Sequence, residues 1–326
     1  MPSADILVPL DGSALAEEAL PIAATLARRR HARLHLVSVQ IPFFPLGSGL
    51  EVADLTEKAE QAIHEGIRQH LCTVAQRIAA SYGVTVTSAV LDGAPAPRLA
   101  EYARSNGISL IVMTTHGRSG FSRFWLGSVA DQLLRRATVP VLLLRGDERR
   151  GLGTFQSVLV ALDGAPDTEA VLEPAAAVAT PMEGAEWTLL RVVEPPAPIV
   201  TPAGVYPAYV APELLEQQQR DATAYLETVA GRLRARGLRV TTRVLLGGAV
   251  AEQIVEFARE QRSDLIAVGT RGAHGMERLL VGSVADKVIR GAGQPVLVVP
   301  VRSVRDSSGA PFTGAHAEAV ATGARA

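Results

Sequence analysis

Two short glycine-bearing segments are the parts of this chain whose residue types and spacing could do chemistry. In the first, Gly117 is followed by nine residues and then Gly127-Ser128-Val129; in the second, Gly272 is followed by nine residues and then Gly282-Ser283-Val284. Each Gly-Ser pair opens an apolar amphipathic run, where a helix should begin. A helix N-terminus carries unpaired N–H groups and a partial positive charge, and glycine lets that backbone approach an anion with no side chain between them. The chemistry on offer is therefore anion binding, phosphate above all. The same residues also have a plainer use, with Ser128 and Ser283 capping their own helices and Gly117 and Gly272 supplying turn geometry. Recurrence of the spacing, each time with an aspartate after a first strand (Asp11, Asp163), favours the binding reading.

The elements that must position these segments are themselves duplicated. Ile6-Leu7-Val8-Pro9-Leu10-Asp11-Gly12 is echoed by Val158-Leu159-Val160-Ala161-Leu162-Asp163-Gly164, Leu110–Met113 by Leu265–Val268, and Val139–Leu144 by Gln294–Val299. Equal order and near-equal spacing mean two copies of one unit. In the first copy the pattern predicts strands at 5–10, 33–39, 84–90, 108–114 and 140–145, alternating with helices at 14–30, 55–82, 96–105 and 128–138. The second predicts strands at 157–162, 186–193, 238–245, 264–269 and 295–300, with helices at 166–180, 212–236, 250–262 and 283–292. Dense Val/Ile/Leu strands without polar alternation, separated by helices, imply parallel doubly wound α/β sheets covered on both faces. The expected division is a first domain over 1–147, a polar linker over 148–156, a second domain over 157–302 and a disordered tail over 303–326. Two inserts with proline and glycine, Ile41 to Asp54 and Pro195 to Pro212, are read as lids or interaction loops.

Composition narrows the function classes. The chain has 326 residues, enough for two domains of about 150 residues each, and 48% of them are hydrophobic. A formal charge of −1 with dispersed basic residues gives no general attraction to nucleic acid, and Arg28-Arg29-Arg30 sits where a helix C-terminus welcomes cations. No apolar run reaches membrane-spanning length and no signal segment is visible. The lone Cys72 cannot form an intramolecular disulfide, so a cytoplasmic location is expected. Lys58 and Lys287 are the only lysines, and there is no Gly-x4-Gly-Lys-Ser/Thr loop, no Gly-x-Gly-x-x-Gly after the first strand and no Gly-x-Ser-x-Gly turn. The scattered histidines lack metal-ligand spacing, so no metal ligand is assigned.

With its Gly, two residues, Gly, nine residues, Gly-Ser pattern, the chain resembles the universal stress protein family, specifically its tandem two-domain members, from Ile6 to Pro300. The resemblance implies two domains, each a five-stranded parallel sheet of order 3-2-1-4-5 of the adenine nucleotide alpha hydrolase-like type. It also implies an ATP site where the strand order reverses. Carried over position by position, the phosphate side falls to Gly117, Gly127, Ser128 and Val129, and to Gly269, Gly272, Gly282, Ser283 and Val284. The adenosine side falls to Asp11, Val39 and Met113, and to Asp163, Val192 and Val268. Pro9 and Thr114 complete the first site. Either aspartate can accept hydrogen bonds from adenosine, hold magnesium near phosphate, or cap the first helix. The resemblance further implies that the two copies pair through their last strands, Val141 to Leu144 and Val296 to Val299, within one chain; homodimerisation of the whole chain stays open.

Three departures from the family pattern stand out. Thr114 replaces the first glycine of the motif in copy one, while copy two keeps Gly269 but has Ala161 for Pro9 and Ala165 for Ser13. Retention of Gly269 favours the second site slightly. His116, Arg118, Arg123, Arg271 and Arg278 also stand in the glycine segments and receive no role. Phosphoryl transfer needs a group that orients the nucleophile, and none is evident. The expected function is an ATP-binding, nucleotide-responsive stress protein with hydrolysis slow or absent. The alternatives are a nucleotide-free scaffold and an adenylate-forming enzyme of the same superfold.

Overall fold

A computed structural model of the chain describes residues 5–42, 50–115, 126–145, 155–179, 184–195, 199–201, 204–206, 212–270 and 282–301, with backbone alone for 50–57, 199–201, 204–206 and 212. Gly117, Gly272, the other glycine-segment residues named above, most of the linker and the tail from 303 lie outside the described residues. In the first half the strands are β1 (Ile6–Pro9), β2 (Leu34–Gln40), β3 (Val86–Asp92), β4 (Leu110–Thr114) and β5 (Val141–Leu144). Their helices are α1 (Ala14–Glu17), α2 (Leu20–Arg29), α3 (Leu50–Tyr82), α4 (Pro95–Ser105) and α5 (Ser128–Leu134). The second half repeats them as β6 (Ser157–Ala161), β7 (Glu186–Val193), β10 (Arg239–Leu246), β11 (Leu265–Gly269) and β12 (Val296–Val299). Its helices are α6 (Leu172–Ala179), α7 (Pro212–Arg234), α8 (Val250–Glu260) and α9 (Ser283–Gly291).

All ten strands form one sheet in the order β10-β7-β6-β11-β12-β5-β4-β1-β2-β3, so each half runs 3-2-1-4-5. In this sheet every pairing within a half is parallel. The halves meet where β12 pairs antiparallel with β5, Leu297 opposite Leu142. The residues along β1 alternate between two cores: Ile6 and Val8 face the layer of α2, α3, α6 and α7, while Leu7 faces that of α4, α5, α8 and α9. This period of two with apolar residues on both sides is what unbroken Val/Leu strands require.

Strands fall within two residues of expectation, and the helices explain most of the differences. The expected helix 14–30 is broken between α1 and α2 because Pro21 has no N–H to donate to the carbonyl four residues back. Pro174 acts likewise in the second half, where Pro166–Val171 forms a 3-10 helix before α6 takes over. Helix α5 ends at Leu134, short of the expected 138, ahead of a β-branched Thr138 and Pro140. The insert expected over 41–54 is shorter than that, since α3 already begins at Leu50. The insert over 195–212 contains a two-stranded antiparallel hairpin, β8 (Ile199–Thr201) with β9 (Gly204–Tyr206), that sequence pattern did not suggest.

The amino-terminal end of the first half's strands is fastened by charge. Buried Asp5 accepts from the Arg33 backbone N–H at 3.0 Å and from its guanidinium at 2.9 and 2.7 Å, while His35 Nε2 lies 3.3 Å from Asp5 Oδ2 and His35 Nδ1 lies 3.0 Å from the Tyr102 hydroxyl. Removing Asp5 leaves the buried His35 Nε2 and the Arg33 backbone N–H without their acceptor while the exposed Arg33 guanidinium stays in water, so Asp5→Ala is expected to lower stability by about 1–3 kcal/mol in urea unfolding. A loss under about 1 kcal/mol would mean the cluster is no more than a surface ion pair.

Candidate functional site

Two cavities open at the carboxyl ends of the strands, one in each half, where the strand order reverses. The first, about 270 Å³, is lined by Pro9 and Asp11 after β1, Val39 of β2, Met113 and Thr114 of β4, and Gly127, Ser128 and Val129 at the start of α5. The second, about 570 Å³, is lined by Asp163, Val192, Val268, Gly269, Gly282, Ser283 and Val284. Every described residue assigned to a site from the sequence therefore lies on one of these two cavities; Gly117 and Gly272 lie outside the described residues. A further cavity of about 690 Å³ adjoins the first, sharing Leu10, Asp11, Val39 and Pro95 and extending to Ile63, Gly66 and Ile67 of α3.

The start of each of the two helices that open on these cavities is built by main chain alone. Thr115 follows β4 and its N–H donates to the Leu144 carbonyl at 2.9 Å; its own carbonyl accepts from Gly127 N–H at 2.7 Å. In the second half Thr270 bonds Val299 at 2.9 Å and accepts from Gly282 N–H in the same way. Gly127 and Gly282, not the serines, are the N-caps, and neither helix has a side-chain cap. The first intrahelical bonds are Asp131 N–H to Gly127 O and Asp286 N–H to Gly282 O, both 2.9 Å. The amides of 128–130 and 283–285 thus have no acceptor within their helices. The serine-cap use expected as the plainer alternative is not realised. Nor does the backbone call for glycine: Gly127 has φ −58° and Gly282 φ −66°, values any residue adopts. What glycine contributes there is the missing side chain.

The aspartates are held in tight turns that require glycine next to them, Gly12 at φ +80° and Gly164 at φ +92°. Asp11 Oδ1 accepts from Ser13 N–H at 2.9 Å and Ser13 Oγ at 2.6 Å, and Ser13 Oγ in turn caps α1 by accepting from Ala16 N–H at 3.1 Å. The cap is Ser13, so Asp11 orients the cap and is not itself one. In the second half Ala165 cannot repeat this, and Thr168 substitutes: its hydroxyl donates to Asp163 Oδ1 at 2.7 Å, beside the Ala165 N–H at 2.9 Å. The carboxylate keeps two donors although the helix start loses its cap.

Sequence reasoning missed the polar wall of the second cavity, which Thr168, Arg191, Glu194, Gln218 and Asp221 provide. Strand register places Arg191 where the first half has Ser38. Its guanidinium sits 5.7 Å from the centre of the Tyr225 ring, and a Cβ on Gly164 would come within 2.6 Å of its Nη1. Burial, and then the negative charge of Glu169, hold the Tyr225 hydroxyl well above its ordinary pKa. Aligning the two copies sets Arg191 against Ser38 but does not say which ring or cavity it meets; Thr168 could have been found by asking what replaces the Ser13 hydroxyl.

Among the described residues no cluster of His, Cys, Asp or Glu could hold a metal ion, and no helix is long and apolar enough to cross a membrane. The sequence matches the model of the universal stress protein family twice, over residues 4–145 and 154–300. It is 28% identical over 299 residues to a universal stress protein of Mycolicibacterium smegmatis, covering 91% of this chain and 97% of that one. A universal stress protein of Methanocaldococcus jannaschii is 32% identical over 142 residues, 43% of this chain and 81% of the relative. The crystal structure of a universal stress protein from Archaeoglobus fulgidus superposes with a TM-score of 0.67 at 22% identity, over 92% of this chain and 99% of that one, a likeness of fold.

The hydroxyl of Thr168 gives the test of the second turn. Thr168→Val keeps shape but strips one donor from Asp163, and is expected to cost about 1–3 kcal/mol in thermal or urea unfolding. Ser at position 165, introduced as Ala165→Ser in the same variant, should recover most of that loss; no recovery would show that the two hydroxyls are not equivalent.

Proposed function

The chain belongs to the universal stress protein family, and from that premise we propose that it binds an adenine nucleotide, ATP foremost, in the two cavities and acts as a nucleotide-responsive stress protein with hydrolysis slow or absent. The observation that carries this reading is the pair of uncapped helix starts: three amides with no intrahelical acceptor, preceded by a glycine whose backbone did not require glycine, at the reversal point of a parallel sheet. Such a place suits a polyphosphate. The walls beside it, Val39 and Met113 in one half and Val192 and Val268 in the other, suit the flat apolar faces of a base and ribose. In this reading Asp11 and Asp163, which line the two cavities, accept hydrogen bonds from the nucleoside or meet a magnesium ion carried in with the phosphates.

In this reading Gly117, Gly127, Ser128 and Val129 serve phosphate in the first site, and Gly269, Gly272, Gly282, Ser283 and Val284 in the second. The units are 1–147 and 157–302, joined by 148–156 and paired permanently through β5 and β12, in the cytoplasm. Slow or absent hydrolysis belongs to the same proposal, because the helix-start amides that carry it bind phosphate and do not orient water for phosphoryl transfer.

The test is calorimetric titration with Mg-ATP. The full chain should bind saturably, and Gly127→Glu combined with Gly282→Glu, which sets a carboxylate against the phosphates, should weaken binding at least about 100-fold. Undiminished binding by the double variant would remove the assigned sites. Pyrophosphate release with candidate acceptors would favour an adenylate-forming enzyme, and no binding at all a scaffold.

A further inference from the structure

The helix that opens on the second cavity is held at its far end by the first half of the chain. In α9 the Val288 carbonyl is taken by Ala292 N–H at 2.8 Å, but the carbonyls of Ile289 and Arg290 lie beyond the last helical donor. Arg145, the residue after β5, satisfies both: its Nη2 donates to Ile289 O at 2.7 Å and Arg290 O at 2.6 Å. A guanidinium on orphan carbonyls at a helix C-terminus combines hydrogen bonding with a favourable dipole interaction. Arg145 also follows Leu144, whose carbonyl holds Thr115, a wall of the first cavity.

A second tie runs in parallel. Arg290 bonds Asp286 within α9 at 2.9 and 3.0 Å and also reaches Asp131 of α5 at 3.6 Å. Asp131 directly follows the three amides that face the first cavity, and its N–H closes the first turn on Gly127. The Arg145 clamp is one-sided. The position equivalent to Arg145 is Pro300, which has no donor to offer the matching carbonyls of α5.

We infer that Arg145 is a positioning residue for the second site, and that through it and the Asp131–Arg290 pair a ligand in the first site raises the affinity of the second. The inference rests on the nucleotide reading above and adds its regulation. A nine-residue helix moves as a rod, so fixing its last turn fixes the amides at its first. Ligand in the first cavity orders Thr115 and the first turn of α5, the two roots of the clamp; the second ligand then meets a helix whose ordering cost has already been met. Coupling of this kind is reciprocal.

The test is a double-variant cycle read by calorimetric titration of the full chain with Mg-ATP. Closing the first site with Gly127→Glu should lower second-site affinity roughly tenfold, as should Arg145→Gln alone, and the two together should lower it no further than either. Arg145→Lys, which keeps a donor, should restore part of the loss, and the thermal unfolding temperature should not follow these changes. Asp131→Asn cuts the second tie with Arg145 intact and must weaken the second site in the same sense, which keeps the test decisive if Arg145→Gln folds poorly. Additive losses, or unchanged second-site affinity in both Arg145→Gln and Asp131→Asn, overturn the coupling while leaving nucleotide binding standing. A wild-type chain that binds no ATP overturns the nucleotide reading and the coupling with it.

Discussion

Two strands in this chain are apolar on both faces and cannot be left as sheet edges. In β5 and β12 every residue is buried, and an exposed edge of that kind would pair with whatever came near. Each satisfies the other. Their register sets Leu142 opposite Leu297, which are equivalent residues in the two copies, and Val141 opposite Val298, so the contact has the self-complementary form of an isologous dimer contained in one chain. The outer edges are of another kind. In β3 and β10 buried positions are few and β10 carries Arg239, Thr241 and Arg243, the polar dress that keeps an edge from templating further strands.

The consequence of that one pairing reaches both cavities. Because the fifth strand lies beside the fourth in each half, joining the two fifth strands places β4 and β11 symmetrically about the junction, each followed by a threonine that ties back to its neighbour strand and then accepts from a helix-capping glycine. Helices α5 and α9 therefore start at their own cavities and finish near the seam. There Asp131, Arg135, Asp286 and Arg290 form a charge lattice, in which the hydrogen bonds that Arg135 donates to Asp131 and Arg290 to Asp286 hold the two guanidinium groups above their ordinary pKa. These groups are partly exposed, so each pair contributes little to stability by itself. Their interest is geometric: they register one helix against the other.

What could be read from the sequence was whatever repeats. The ten strands and the two-fold repeat followed from apolar runs, turn residues and the doubled glycine spacing, because these are local signals that tertiary packing reinforces, whereas the strand order and the cavity-lining residues came only with the family resemblance. The proline breaks at 21 and 174 were equally local but were overlooked under the longer helical pattern. The hairpin at 199–206 carries only three residues a side, too short for periodicity to register. Arg191 and Arg145 were invisible for a different reason. Each acts across a contact between distant segments, on Tyr225 in one case and on α9 in the other, and nothing in the residues around an arginine says which distant carbonyl or ring it will meet.

Duplication followed by divergence accounts for where the halves differ. The loss of the Ser13 hydroxyl at Ala165 left an aspartate one donor short, and a threonine three residues on supplies it, at the expense of a regular first turn. Thr114, buried where the other copy has Gly269, narrows the first site, while Arg191 in place of Ser38 gives the second a charged wall. The junction diverged in the same way. An arginine after β5 and a proline after β12 turn a symmetric seam into one in which that arginine braces the second half with no counterpart at the equivalent position of the first. Two identical subunits related by an exact two-fold could not be arranged so, since any brace one gave it would also receive. Fusing the copies into one chain is what allows their sites to differ and one to depend on the other.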